Sequence, residues 1–384
     1  MTDTTALPRR HVPAGEDFLL LPPAAQPYAY RNVDRMFATR TIERGEAVLP
    51  LRRGPEVAPT YRIGDRRFGV DDYIDRTQAA GLLVLQDDTI VLERYALGLE
   101  EAIRWSSMST IKSLTATLVG AALQDGKIGS LEDAVSTYVP ALRGCAYDAV
   151  SIRHLLTMSS GVRWSELYTD RNSDVNRYSK SLGDKVPGGV LALMRGLEPE
   201  HSPGTRFNYN TGDTYVLGCL LSAATGETLA GYMSRTVWAR LGMEFDAFYT
   251  LESEGGQEIG GSRAGIALRD FGRFGLFLLR DGIVGGDRVL PAGWLDAAGS
   301  PAFALDPATN SYGATGYGYS WWLDSDGAMV AVGFAGQTLY VNRARGVVIV
   351  TLSCHPQPPY DAGYTVDFKA ERRAFKAAVL EALA

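Results

Sequence analysis

Ser109 and Lys112 stand three residues apart in the stretch Trp105-Ser106-Ser107-Met108-Ser109-Thr110-Ile111-Lys112-Ser113. Behind them Leu114, Leu118, Val119, Ala122 and Leu123 recur at helical spacing, which predicts a helix with Ser109 in its first turn. Residues at i and i+3 share a helix face, so the lysine amine can reach the serine hydroxyl. A hydroxyl beside an uncharged amine is a nucleophile with its base. Burial at the foot of an apolar helix excludes water and draws a lysine pKa down. Alone, Ser-x-x-Lys is also what a solvated helix start looks like; two further segments give it weight.

The first of these is Pro203-Gly204-Thr205-Arg206-Phe207-Asn208-Tyr209-Asn210-Thr211-Gly212, where a turn delivers Tyr209 just before a helix begins near Asp213. A phenol held there beside a cation can donate or accept a proton. On composition alone Tyr209 reads as a packing residue. The second is Gly333-Phe334-Ala335-Gly336-Gln337, at the end of one predicted strand and the start of the next. Small residues let a backbone approach a ligand closely, and an edge strand offers free N–H groups to a carbonyl. A plain hairpin turn is the competing reading.

Other constellations are weaker. Gly260-Gly261-Ser262-Arg263-Ala264 faintly resembles a nucleophile elbow, but no strongly apolar strand precedes it. A Ser-His-Asp triad needs one of His11, His154, His201 or His355, and His154 sits in an apolar helical pattern as a core histidine would. No histidine pair has ligand spacing on a helix, so a metal is not expected; no cofactor is expected either.

The elements that must position these groups follow from periodicity. Residues 1–60 are rich in Pro and Arg with little period and read as an extended arm over the body, or a partly disordered tail. Leu82–Gln86 and Thr89–Tyr95 suggest a hairpin across Asp87-Asp88. Short helices are expected over 131–138 and 151–158, the second N-capped by Ser151. Residues 164–187 show no clear period and read as a long loop carrying Tyr168. Helices return over 190–195, 213–225, 229–241 and 266–279. Tyr317–Leu323, Met329–Phe334, Thr338–Asn342 and Val347–Ser353 predict an antiparallel meander, closed by a helix bearing Phe368, Phe375, Val379 and Leu383. Strands near both ends with helices between give an α+β fold: an antiparallel sheet flanked by helices, with an inserted mainly helical domain. The expected division is 1–76 as N-terminal arm, 77–130 with 255–384 as the body, and 131–254 as the helical domain.

With 384 residues, 46% hydrophobic and 21% charged, the chain is long enough to bury a sizeable core. A net charge of -6 and the lack of any basic run give no reason to expect nucleic acid. Cys145, Cys219 and Cys354 are widely spaced and read as reduced thiols. No run reaches the length of a membrane span, and Phe18-Leu19-Leu20-Leu21 is too short for a signal peptide's apolar region, so a cytoplasmic location is expected.

Taken together, these segments resemble the serine β-lactamase and penicillin-binding-protein superfamily, over roughly residues 80–355. The likeness is to its class C and esterase branch, particularly enzymes of the 6-aminohexanoate-dimer (nylon oligomer) hydrolase type. Ser109-Thr110-Ile111-Lys112 matches the nucleophile motif, and Tyr209-Asn210-Thr211 occupies the Tyr-x-Asn position. Ser151–Gly161, Leu268–Gly275 and Gly316–Trp322 also look like that branch. The chain departs from the pattern twice. Phe334-Ala335-Gly336 stands where Lys-Thr-Gly or His-x-Gly is usual, leaving no cation to hold a β-lactam carboxylate, and Thr211 replaces an amide.

The resemblance implies acyl transfer through a Ser109 acyl-enzyme, with Lys112 and Tyr209 as acid and base and the choice of base open between them. It places the oxyanion hole at the backbone N–H groups of Ser109 and Gln337. Tyr168 resembles a loop tyrosine near the leaving group, while Trp321, Trp322 and Phe334 are expected to line the pocket. The expected activity is hydrolysis of small amides or esters. An acyltransferase in small-molecule metabolism is the alternative, and a non-catalytic binding protein on the same fold the third reading. The expected partner is a small-molecule substrate, with no nucleic acid and no membrane; a homodimer is left open.

Overall fold

A nine-stranded sheet organises the chain. Its strand order is Phe303–Ala304, Gly316–Tyr317, Trp322–Leu323, Met329–Gly333, Gln337–Asn342, Val347–Ser353, Ala79–Gln86, Thr89–Tyr95 and Arg52–Arg53. Every pairing is antiparallel except the last, where Arg52–Arg53 runs parallel to Thr89–Tyr95. The structure is a computed structural model and describes residues 15–358, 361 and 363–384; His11 lies outside them.

The central strands are apolar on both faces because both faces are covered. Leu83, Leu85, Val348 and Val350 point to the side of the Leu268–Leu279 helix, with Phe271, Phe274 and Leu278 in the same core. Leu82, Val84 and Ile349, one residue out of step, pack on the other side with Tyr73, Phe375 and Val379. Phe375 and Val379 belong to the closing helix Phe368–Ala382, capped by Asp367.

Between residues 131 and 246 the regular elements are all helices, joined by long connections, and the Ile111–Gln124 helix packs against Thr211–Thr225. Both helices are buried nearly all round, which explains why neither has a polar face. A four-stranded sheet, Thr39–Ile42, Ala247–Thr250, Gly265–Ile266 and Trp105–Ser106, ties distant segments together. It sets Trp105–Ser106 directly against Gly265–Ile266, so the residues just after one strand and just before the other must meet.

The structure corrects several expectations. Residues 164–187 are not all loop: Asp174–Gly183 is helical, with Ser173 accepting a hydrogen bond from Asn176 N and Val175, Tyr178 and Leu182 buried along one face. Three apolar positions among charged ones were too few to display a period. Tyr317–Leu323 is two short strands, Gly316–Tyr317 and Trp322–Leu323, split by a turn in which Ser320 adopts φ 58°. Ser113 Oγ donates to Ser320 O and Ser320 N to Leu156 O, so the turn is fastened to two helices. Residues 15–76 contribute Thr39–Ile42 and Arg52–Arg53 to the sheets and bury Phe18 and Tyr30 completely. Their aromatic anchors are irregularly spaced and so carry no periodic signal. Among the described residues no helix is long and apolar enough to cross a membrane.

Candidate active site

The turn that presents Ser109 is held from both sides. Ser107 N donates to Ala264 O at 2.7 Å, and Thr110 Oγ1 donates back to Ser107 O at 2.7 Å. Met108 takes φ 47°, a conformation an unbranched side chain tolerates at some cost, and the α-helix starts at Ile111. Ser109 therefore sits half-exposed where the helix begins, while Lys112 one turn on is buried at 1% exposure.

Lys112 Nζ lies 2.9 Å from Ser109 Oγ and donates to Gly261 O at 2.7 Å. Burial lowers its pKa from 10.5 to about 7; the Glu166 carboxylate pulls it up and the Arg263 guanidinium pushes it further down. At neutral pH a large share of the molecules thus carries an uncharged amine against the hydroxyl, able to take its proton.

Tyr209 precedes Asn210, whose Oδ1 caps the Thr211–Thr225 helix by accepting from Asp213 N at 3.1 Å. That cap holds the phenol in the same corner. Its ring centre is 5.1 Å from Lys112 Nζ and 5.5 Å from the Trp322 ring, with Tyr317 edge-on at 6.5 Å. Burial first, then Glu166, push the phenol pKa up, opposed by a hydrogen bond with Ser109. Tyr209 is therefore a protonated donor across the working pH range.

The Phe334 turn closes the third side. An ideal Cβ on Gly333 would stand 2.8 Å from Ser107 O, so only glycine lets this strand approach the turn that carries Ser109. Ala335 and Gly336 follow at φ 58° and 94°. Gln337 lies beneath them, fully buried: its Nε2 donates to Phe334 O, Ala335 O and Ser353 O, while its Oε1 accepts from Trp105 Nε1 and Ser353 N. Gln337 fixes the turn from behind and is not among the residues lining the cleft, whereas Gly333, Phe334, Ala335 and Gly336 are.

Ser109, Tyr168, Tyr209, Trp322 and Phe334 share one cleft of about 620 Å³. Tyr168 packs on Phe334 at 4.8 Å between ring centres. Trp321 is not in it: at 1% exposure it points into the core, as alternation from its neighbour Trp322 requires. A narrow recess of about 20 Å³ opens beside Ser109 and runs inward past Tyr168 to Ser179 and Arg263.

Two residues absent from the sequence expectations are conspicuous here. Glu166 accepts hydrogen bonds from Trp164 Nε1, Tyr168 OH, Thr211 N and Thr211 Oγ1, and so joins the loop to the Tyr209 segment. A carboxylate between two aromatics in an aperiodic stretch gives no signal of that role. Gly261 belongs to the segment that faintly resembled a nucleophile elbow; its carbonyl holds Lys112, and Ser262 Oγ has no hydrogen-bond partner. His154 Nδ1 accepts from Ser151 N, a helix-start contact. Among the described residues no histidine ring is bonded to a serine hydroxyl, and no group of His, Cys, Asp or Glu could hold a metal ion.

The family profile described as Beta-lactamase matches residues 70–372. The 6-aminohexanoate-dimer hydrolase of Paenarthrobacter ureafaciens is 28% identical over 344 residues, 86% of each chain. A candidate 6-aminohexanoate-dimer hydrolase from Bacillus anthracis superposes with a TM-score of 0.81 at 21% identity, over 93% of this chain and 94% of that one. A penicillin-binding protein from Bacillus halodurans gives 0.59 at 20% identity, over 79% of this chain and 98% of its own.

Proposed function

The chain belongs to the beta-lactamase family, as a serine hydrolase of the amide and ester type, and from that footing we propose that it cleaves small amides or esters through an acyl-enzyme on Ser109. The observation that carries this reading is the 2.9 Å approach of a buried, readily neutralised Lys112 amine to the Ser109 hydroxyl.

In the proposed sequence Ser109 Oγ attacks the substrate carbonyl as its proton passes to Lys112 Nζ. The oxyanion is met by the Ser109 N–H and by backbone donors of the Phe334 turn, each such donor typically worth about 3 kcal/mol. Tyr209 gives its phenolic proton to the departing amine or alcohol and recovers one from Lys112. Water then attacks the acyl-enzyme with the same groups reversed. A phenol held protonated suits the donor step, and a lysine poised near 7 suits the base, which divides the roles between them. Phe334, facing Tyr168 where a cation would be needed, speaks against β-lactams as preferred substrates.

Resemblance in sequence to a 6-aminohexanoate-dimer hydrolase supports short linear amides as the substrate class. The wide cleft on the Tyr209 side has room for an amine or alcohol in place of water, which is the basis of the acyltransferase reading. The test is a panel of p-nitrophenyl esters, nitrocefin and short amides, with product analysis in the presence of a labelled acceptor. Wild type should turn over esters or amides well above nitrocefin, and Tyr209→Phe should lower kcat by about 10²–10⁴. Free acid as sole product removes acyl transfer; strong nitrocefin turnover overturns the reading of Phe334.

A further inference from the structure

Among the described residues three arginines are buried: Arg263, Arg269 and Arg273. Arg269 is ion-paired with Glu93 and Glu101, and Arg273 with Asp270 and Glu244. Arg263 has no carboxylate partner among the described residues. It is 1% exposed, its Nη2 donates to Ser179 Oγ, and its Nε and Nη1 have no hydrogen-bond partner at all. Phe18 and Phe37 stand 5.3 and 5.2 Å from its guanidinium carbon, a partial compensation through their ring faces. The backbone at Arg263 is also left-handed, at φ 61°.

A fixed guanidinium taken out of water with two donor groups unused is costly unless something pairs with it. Arg263 lines the same recess as Ser109, together with Tyr178, Ser179 and Ser262. Glu166 borders the recess too, but its two oxygens are already taken by Trp164, Tyr168 and Thr211. At about 20 Å³ the recess has room for roughly one water, so a slim chain enters it only as the lining side chains part, and a ring does not. Tyr209, the proton donor to the leaving group, lines the wide cleft and not the recess, so the acyl part is the part that enters.

The geometry points to Arg263 as the anchor for a carboxylate at the far end of the substrate's acyl chain. The inference rests on the Ser109 acyl-enzyme reading and adds the substrate class: half-amides or half-esters of linear dicarboxylic acids. A bidentate guanidinium–carboxylate contact through Nε and an Nη is the pairing these free donors are shaped for.

The test uses wild-type enzyme and p-nitroanilides or p-nitrophenyl esters of four- to eight-carbon acyl groups in three forms: ω-carboxylate, its methyl ester, and the plain alkanoyl chain. At the best chain length the ω-carboxylate should exceed both neutral forms at least tenfold in kcat/KM, mostly through KM. Arg263→Gln should bring that ratio close to one, with Arg263→Lys in between. Equal or better turnover of the neutral chains by wild type overturns the inference, and means that water completes the guanidinium. A uniform loss on all three forms in Arg263→Gln, with a displaced pH profile, also overturns it, since Arg263 would then act only through Lys112. If the variants do not fold, protection of wild-type Ser109 from a fluorophosphonate decides, with adipate protecting and hexanoate not. Failure of Ser109 to take the fluorophosphonate sinks the acyl-enzyme reading itself, whereas labelling and turnover without carboxylate preference sink only the role of Arg263.

Discussion

Lys112 Nζ stands 2.9 Å from Ser109 Oγ and is held there by the carbonyl of Gly261, 2.7 Å away on a segment 149 residues further along the chain. The four-stranded sheet makes that meeting obligatory, because Trp105–Ser106 and Gly265–Ile266 are paired strands. A helix face alone would bring the two side chains near each other. The carbonyl and the burial are what orient the amine and remove its charge.

A lysine moved from 10.5 to about 7 by burial binds its proton in the unfolded chain but not in the folded one between those values. Stability should therefore rise with pH through that window, by about 1.4 kcal/mol per unit from this group. Against Lys112→Met, which lacks the group, wild type should gain roughly 2 kcal/mol between pH 7.5 and 9, and the difference should be flat below about pH 6. Urea unfolding at several pH values reads this directly. In activity, kcat/KM should fall as pH drops through about 7, and Lys112→Met should lose about 10²–10⁴ of it.

Glu166→Gln should do two separable things. Removing the anion that raises the Lys112 pKa should move the acid limb of the kcat/KM profile to lower pH. Replacing an acceptor of four hydrogen bonds by an amide with one acceptor oxygen should cost about 1–3 kcal/mol in unfolding free energy. An unmoved acid limb would mean that Glu166 does not act on Lys112.

Gly333→Ala tests the closeness of the Phe334 turn to the nucleophile. The added methyl would meet Ser107 O at 2.8 Å, so strand and turn must part. Displacement of that order should lower kcat/KM by about 10²-fold while the fold persists, as circular dichroism would show. Wild-type activity in this variant would mean that the turn takes no part in binding the oxyanion.

Much of this arrangement was legible in the sequence, for physical reasons. Ser109 and Lys112 are local in sequence, so helical spacing alone joins them, and Tyr209 announces itself by the turn before it and the apolar helix behind it. The central strands read clearly because Ala79–Gln86 and Val347–Ser353 are apolar throughout. What escaped depends on contacts distant in sequence. Glu166 and Arg263 become visible only when the 164–183 segment folds over the nucleophile. Gln337 is expected only through its backbone N–H; that its side chain turns inward and satisfies the buried groups of Trp105 and Ser353 gives no sequence signal. Trp321 and Trp322 could not be told apart until the break at Ser320 set which of them faces the cleft.

The most direct test of the account is the intact mass of the protein after exposure to a fluorophosphonate near pH 8. A single adduct, mapped to the peptide carrying Ser109, lost in Ser109→Ala and much slowed in Lys112→Met, is the expected result. An adduct on any other residue, or undiminished labelling of Ser109→Ala, would contradict it.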